Sequence, residues 1–229
     1  LVEDGSTVQL GVGGIPNAAS NEFYTKNDLG IHTEMITTNM VRLAKAGVVT
    51  GRRKTINEEK MIGSFAMGSQ ELYDFLDNNP ALELRSGNYV NNPFIIAQNY
   101  KMVSVNTAIQ IDLAGQVCSE SFGPVQYSGI GGAMDFAQGA HNGKDGKAIV
   151  ALKSTVKGGA VSTIQAILTP GSVVTIPRTM VDYFVTEYGI AEMNNRSMQE
   201  RVESLINIAH PKFRDELRQQ AVDLKITAW

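Results

Sequence analysis

Cysteine is almost absent. Cys118 is the only one in 229 residues, so no disulfide can form within the chain. That fits a reducing compartment, and the expected location is cytoplasmic. Histidine is scarce as well: three histidines and one cysteine are too few soft ligands for a zinc cluster, so no metal is expected. No apolar run approaches the roughly 20 residues that a membrane-spanning helix needs, and no membrane partner is expected. Positive charge is not in excess. Twenty Lys and Arg stand against 23 Asp and Glu, for a net charge of −3 and a pI of about 5.7. Without a global basic field, nucleic acid is not an expected partner, and any anionic ligand must be held by loop amides or single lysines. Neither a Pro/Ser-rich linker nor a short repeat divides the chain, which is therefore read as one domain over residues 1–229.

What is present is ordinary globular material. Hydrophobic residues make up 43% and charged residues 19%, which argues against disorder and leaves enough apolar surface for a sizeable core. Leu1-Val2-Glu3-Asp4-Gly5 reads as the last turn of a helix stopped by Gly5. From this the expectation is that sequence is missing upstream.

Strand and helix signals then alternate. Thr7–Leu10 reads as a strand, followed by a glycine-rich turn and a short helical stretch. Leu29–Glu34 reads as a short buried strand with a polar end. Asn39–Ala46 reads as a helix with Met40, Leu43 and Ala44 on one face and Gly47 as its stop. Met61–Met67 reads as a strand, and Ser69 as the cap of a helix whose apolar face is Leu72, Phe75 and Leu76. Val103, Val105, Ile109, Ile111 and Leu113 fall at even spacings, the strand period, with Gly115 as a turn. Ala148–Leu152, Val161–Leu168, Val173–Ile176 and Phe184–Gly189 are further strand candidates. Met198–Leu224 is helical with a break at His210-Pro211. Alternation of this kind argues for α/β architecture with a mostly parallel sheet.

Two glycine-rich segments follow strand-like sequence. Gly11-Val12-Gly13-Gly14-Ile15-Pro16 precedes a helix, and glycines there let the backbone approach a ligand and aim N–H groups at negative charge. It is neither a Walker A loop nor a G-x-G-x-x-G fingerprint, and taken alone such a loop is as readily a tight turn. Gly129-Ile130-Gly131-Gly132 is the second. Two such loops could supply opposed amides for an oxyanion; the plainer alternative is a hairpin or bulge. Glu34 ends an apolar strand, which places it at a sheet edge, although most single glutamates are surface residues. Glu187 has the same placement. His32 reads first as a packing histidine, Lys157 as a solvated lysine, and Cys118 as structural, since no nearby His or Asp would activate it.

In combination these segments are more specific. The order Gly11–Pro16, Gly30-Ile31-His32-Thr33-Glu34, Phe65-Ala66-Met67-Gly68, Asn106–Val117, Gly129–Phe136 and Thr186-Glu187-Tyr188-Gly189-Ile190-Ala191 resembles the C-terminal half of the acetyl-CoA hydrolase/transferase family. The resemblance covers almost the whole chain. Within the family it is most marked to the 4-hydroxybutyrate and butyrate CoA-transferases of anaerobic bacteria. It implies an α/β, CoA-transferase-like (NagB/RpiA-like) three-layer domain with a mostly parallel sheet, one of two similar halves, and so a missing N-terminal half. It also implies roles. Glu34 matches the nucleophile that becomes a glutamyl–CoA thioester, and Val12 and Gly132 match the oxyanion-hole amides. Gly11, Val12, Gly13, Gly14, Ile15, Ile109, Gly132 and Lys157 match coenzyme A contacts. His32, Asn91 and Glu187 match polar residues that line the substrate. Coenzyme A would be a substrate, with no tightly bound cofactor. The partners implied are an acyl-CoA, a short-chain carboxylate and further copies of the chain in a homo-oligomer. Three alternatives stay open: hydrolysis of an acyl-CoA on the same fold, a non-catalytic CoA-binding or oligomerisation module, and a sugar-phosphate isomerase of related topology.

Overall fold

The computed structural model describes residues 1–227. The chain divides into two compact units: Leu1–Asn106 with Asp135–Ala148, and Thr107–Met134 with residues 149 onward. It is mixed α/β throughout, with mostly parallel strands.

The first unit is built on three parallel strands. Thr7–Leu10 lies between Gly30–Ile31 and Met102–Asn106, with Val8 opposite Ile31 on one side and Val103 on the other. Every residue of the three strands is buried, on both faces, which is the pattern of parallel strands covered on both sides. Polar members are paired: the amides of Gln9 and Asn106 exchange hydrogen bonds of 3.1 and 3.2 Å. The helix Thr38–Lys45 buries Met40, Val41 and Leu43, and Gly47 (φ 77°) ends it in the left-handed region where glycine is favoured. The helix Ala133–Asn142, whose first two residues belong to the second unit, buries Phe136, Ala137, Gly139 and Ala140. Gly139 has no alternative there, because a Cβ would sit 2.4 Å from Cγ2 of Ile96.

In the second unit, Tyr183–Thr186 runs parallel to the strand Lys147–Ala151, which begins in the last residues of the first unit, and turns back antiparallel into Gly189–Glu192. Gln110–Asp112 pairs parallel with Ile164–Gln165 and antiparallel with Val117–Cys118. The tail forms two helices, Met198–Ile208 and Pro211–Asp223, broken at His210-Pro211 as expected. Val202, Leu205 and Ile206 are buried on the first and Leu217 on the second.

Five expectations are corrected. Leu1–Gly5 contains no helical turn; Gly5 closes a reverse turn, its N–H donating to the Asn27 carbonyl and the Asp4 carboxylate accepting from Asn27. Met61–Met67 is two strands: Met61–Gly63 pairs with Leu82–Leu84, then Phe65–Ala66 pairs with Met35–Ile36. Val103–Leu113 is likewise two strands, Met102–Asn106 and Gln110–Asp112, with different partners. Even spacing persists through such a change of partner and cannot reveal it. Val161–Leu168 breaks for the same reason into Val161–Ser162 and Ile164–Gln165. Val173–Ile176 forms no strand; Ile176 makes a single bridge to Val117 while Val173 and Val174 stay exposed.

Candidate active site

Because Thr7–Leu10 and Gly30–Ile31 are parallel neighbours, the segments that follow them leave the sheet at the same edge. The strand Met102–Asn106 lies on the other side of Thr7–Leu10, so the chain leaves the middle strand towards one neighbour only. In parallel α/β sheets, ligands bind outside the carboxyl ends of the strands at such a point.

The first glycine loop occupies this position. The Gly11 N–H donates to the Val105 carbonyl at 2.8 Å, and a Cβ at residue 11 would meet the Asn106 carboxamide oxygen at 2.7 Å. Only glycine lets the backbone lie so close to the neighbouring strand. Gly13 adopts φ 134°, which an L side chain rarely does, and Gly14 and Ile15 open the helix Gly14–Asn21. Val12 is 62% exposed despite its apolar side chain.

Glu34 lies three residues past the adjacent strand Gly30–Ile31, in the bend before Met35–Ile36, and is half-buried. Its main chain is fixed on both sides: Thr33 N–H donates to the Ile62 carbonyl at 3.0 Å, and the Glu34 carbonyl accepts from Ser64 at 2.9 Å and Phe65 at 3.2 Å. Its carboxylate accepts from the Asn91 side-chain amide at 3.1 Å. Asn91 ends the short helix Gly87–Val90, and His32 donates from Nε2 to the carbonyl of Val90 at 2.9 Å. Thus three of the expected residues, His32, Glu34 and Asn91, converge. His32 itself is fully buried. Burial draws its pKa down to about 4, only partly opposed by the Val90 hydrogen bond, so the ring is neutral.

One residue that senses the charge of Glu34 had no role assigned from the sequence. Asp135 stands in the first turn of the helix Ala133–Asn142, and its carboxyl is raised above the usual range, first by burial and then by the negative charge of Glu34. Its sequence mark is its place three residues after the second glycine loop, in Gly132-Ala133-Met134-Asp135. The charge of Glu34 therefore reaches Asp135, which keeps its proton to higher pH than an exposed aspartate would.

The remaining expected residues lie in the second unit. Ile109 donates its N–H to the Cys118 carbonyl at 2.9 Å, and Gly132 is buried immediately before the helix that carries Asp135. Lys157 is exposed, with φ 51°, in the turn between Thr155–Val156 and Val161–Ser162. Glu187 follows Tyr183–Thr186 at the carboxyl end of that strand. Ser154 grips both of its oxygens, through its N–H at 2.9 Å and its hydroxyl at 2.6 Å. Burial would raise the Glu187 pKa, but the Ser154 hydrogen bonds, with its own backbone N–H and His210 adding to them, hold the carboxyl below its ordinary value. Ser154 was not foreseen; nothing in its sequence neighbourhood marks it.

An α/β arrangement of this kind sets a glycine loop and a glutamate beside one another, just past the carboxyl ends of adjacent parallel strands. The model of the acetyl-CoA hydrolase/transferase C-terminal domain matches residues 68–221. The chain is 50% identical over 220 residues to 4-hydroxybutyrate coenzyme A transferase of Clostridium kluyveri, covering 96% of this chain and 51% of that protein. It is 49% identical over 227 residues to the probable butyrate:acetyl-CoA coenzyme A-transferase of Syntrophomonas wolfei, covering 97% and 51% respectively. Among solved structures, RipA from Yersinia pestis superposes with a TM-score of 0.94 at 43% identity, over 99% of this chain and 51% of that one. The 4-hydroxybutyrate CoA-transferase of Porphyromonas gingivalis does so with a TM-score of 0.86 at 40% identity, over 97% and 52%. The chain therefore belongs to the acetyl-CoA hydrolase/transferase family, and its fold is that of the CoA-transferases. It spans about half the length of the curated relatives it matches.

Proposed function

We propose that residues 1–229 form the C-terminal catalytic domain of a cytoplasmic CoA-transferase, with Glu34 as nucleophile. The observation that carries this reading is the placement of Glu34: half-buried in the bend just past the carboxyl end of a parallel strand, its backbone clamped, its carboxylate oriented by Asn91 and its charge felt by Asp135. The names of the relatives direct it towards 4-hydroxybutyryl- or butyryl-CoA as donor and a carboxylate such as acetate as acceptor. The exposed apolar side chains of Val12, Phe65 and Met67 suit an uncharged aliphatic acyl group. Phe65 stands opposite Met35, the residue after the nucleophile.

In this mechanism the Glu34 carboxylate attacks the thioester carbonyl. The C–S bond breaks, leaving an acyl-glutamyl anhydride and CoA thiolate. The thiolate attacks the glutamyl carbonyl, forming the glutamyl–CoA thioester and releasing the carboxylic acid as its anion. The acceptor carboxylate then reverses both steps and leaves with CoA. Each addition puts negative charge on a carbonyl oxygen, to be met by the amides of Val12 and Gly132; one such donor is typically worth about 3–4 kcal/mol. Gly11–Ile15, Ile109, Gly132 and Lys157 would contact coenzyme A, whose remote groups supply binding energy for the transition state. Glu187, held by Ser154, would line the substrate. The reading includes an N-terminal half that completes the acyl pocket, and a homo-oligomer.

The test is intact mass after incubation with butyryl-CoA, on the 229-residue chain and on the chain joined to an N-terminal half. The expected product is a gain of one CoA less one water, mapped to Glu34 and absent in Glu34→Ala. Turnover without added carboxylate, with water as acceptor, would favour hydrolysis, the activity named for relatives at 26% identity. No adduct and no turnover from either protein would leave a binding module.

A further inference from the structure

The fully buried imidazole of His32 offers no surface to a substrate, yet it lies two residues from the nucleophile. We infer that His32 is a positioning residue that, through the Val90 carbonyl, fixes where Asn91 holds the Glu34 carboxylate. This rests on the reading of Glu34 as nucleophile.

A carbonyl only accepts, so the 2.9 Å contact to Val90 places the ring proton on Nε2. Nδ1 is then the lone-pair nitrogen, buried without a hydrogen-bond partner. A protonated Nδ1 would be a buried donor with nothing to accept from it, so the geometry itself keeps the ring neutral. The ring packs against Tyr89, centroids 6.4 Å apart, and Phe136, 6.2 Å apart. Its main chain is fixed by the N–H bond to the Val8 carbonyl at 3.2 Å and by the bridge to Ile62.

The other end of the contact has little rigidity of its own. Gly87–Val90 is a single helical turn, and an isolated turn of this length does not persist in water. The last carbonyls of a helix lack partners within it, and the Val90 carbonyl finds His32 instead of a later amide. The next residue is Asn91, whose N–H closes back on Gly87 at 2.9 Å and whose side-chain amide reaches Glu34 at 3.1 Å. The chain of contacts therefore runs from the strand end through His32, Val90 and Asn91 back to the carboxylate two residues further on. His32 sets the spacing between two parts of the same site.

The test is a double-mutant cycle on the rate at which the active protein forms the Glu34–CoA adduct, with His32→Phe, His32→Gln, Asn91→Ala and the pair His32→Phe with Asn91→Ala. Phenylalanine keeps the ring volume and removes the donor; glutamine restores a donor. His32→Phe should slow the adduct by about 10- to 100-fold, the cost of a misplaced catalytic group. His32→Gln should recover most of the rate, and the double variant should be no slower than Asn91→Ala alone. Losses that multiply independently would overturn the inference while leaving the glutamyl–CoA reading intact. Absence of any adduct in the unaltered protein would sink both. Should His32→Phe fail to fold, 15N NMR of the unaltered protein decides: an Nε2–H tautomer that stays neutral down to about pH 5 supports the contact, and an Nδ1–H tautomer refutes it.

Discussion

Lys54 is a buried lysine whose hydrogen-bond acceptors among the described residues are main-chain carbonyls: Ile31 at 3.0 Å and Lys60 at 2.8 Å, with the residue 2% exposed. Its stem passes over Gly30 so closely that a Cβ there would lie 2.5 Å from Cγ. Burial lowers its pKa from 10.5 to about 7, with Arg85 lowering it further and Glu83 opposing. The sign of the linkage follows. Between about pH 7 and pH 10.5 the unfolded chain keeps the lysine proton while the folded one releases it, so stability rises with pH across that window. Each pH unit adds at most ~1.4 kcal/mol, and a measurement from about pH 7 to about pH 9.5 should record a gain of roughly 3 kcal/mol. The variant Lys54→Met removes the titration, so the assay is the difference in urea-unfolding free energy between the two proteins, followed by circular dichroism at several pH values. Other titrations cancel in that difference. At neutral pH Lys54→Met loses two hydrogen bonds and also the buried charge, so its net effect there is small beside the pH slope. A difference that stays flat within ~0.5 kcal/mol over the window would refute the claim that the fold buries an uncompensated ammonium.

Two further perturbations test packing and capping. Gly139→Ala should lower stability by about 1–3 kcal/mol, since the new methyl collides with Ile96 and the Pro93 carbonyl; an unchanged melting temperature would show that the helix Ala133–Asn142 and the short helix Pro93–Ile96 can part without cost. Ser197→Ala removes a reciprocal cap in which the Ser197 hydroxyl accepts from the Glu200 N–H at 3.3 Å and the Glu200 carboxylate accepts from the Ser197 N–H at 2.8 Å. A loss of about 1 kcal/mol is expected, read as faster hydrogen exchange in the first turn of Met198–Ile208, and unaltered exchange there would contradict it.

Much of the local structure was legible because it depends on neighbours in sequence. The helix Thr38–Lys45 and its stop at Gly47, and the break at His210-Pro211, appear where the chain signalled them. Strand boundaries were less legible. Met61–Met67 and Val103–Leu113 each read as one strand, because apolar residues at even spacing are indifferent to which partner they face, and the partner changes midway.

The candidate site divides along the same line. The order of motifs along the chain was enough to nominate Glu34, the two glycine loops and Asn91, since residue identity and order are properties of the sequence. What the sequence could not contain was mutual placement. That Asn91, 57 residues away, donates to Glu34 follows from the fold. So does the neutral state of His32, which burial imposes. The same holds for the raised carboxyl of Asp135 and the Ser154 grip on Glu187. Desolvation and hydrogen-bond geometry act through space, so a residue's chemistry is decided by what tertiary packing brings against it, whereas helix stops, turns and motif order are decided by covalent neighbours and can be read directly.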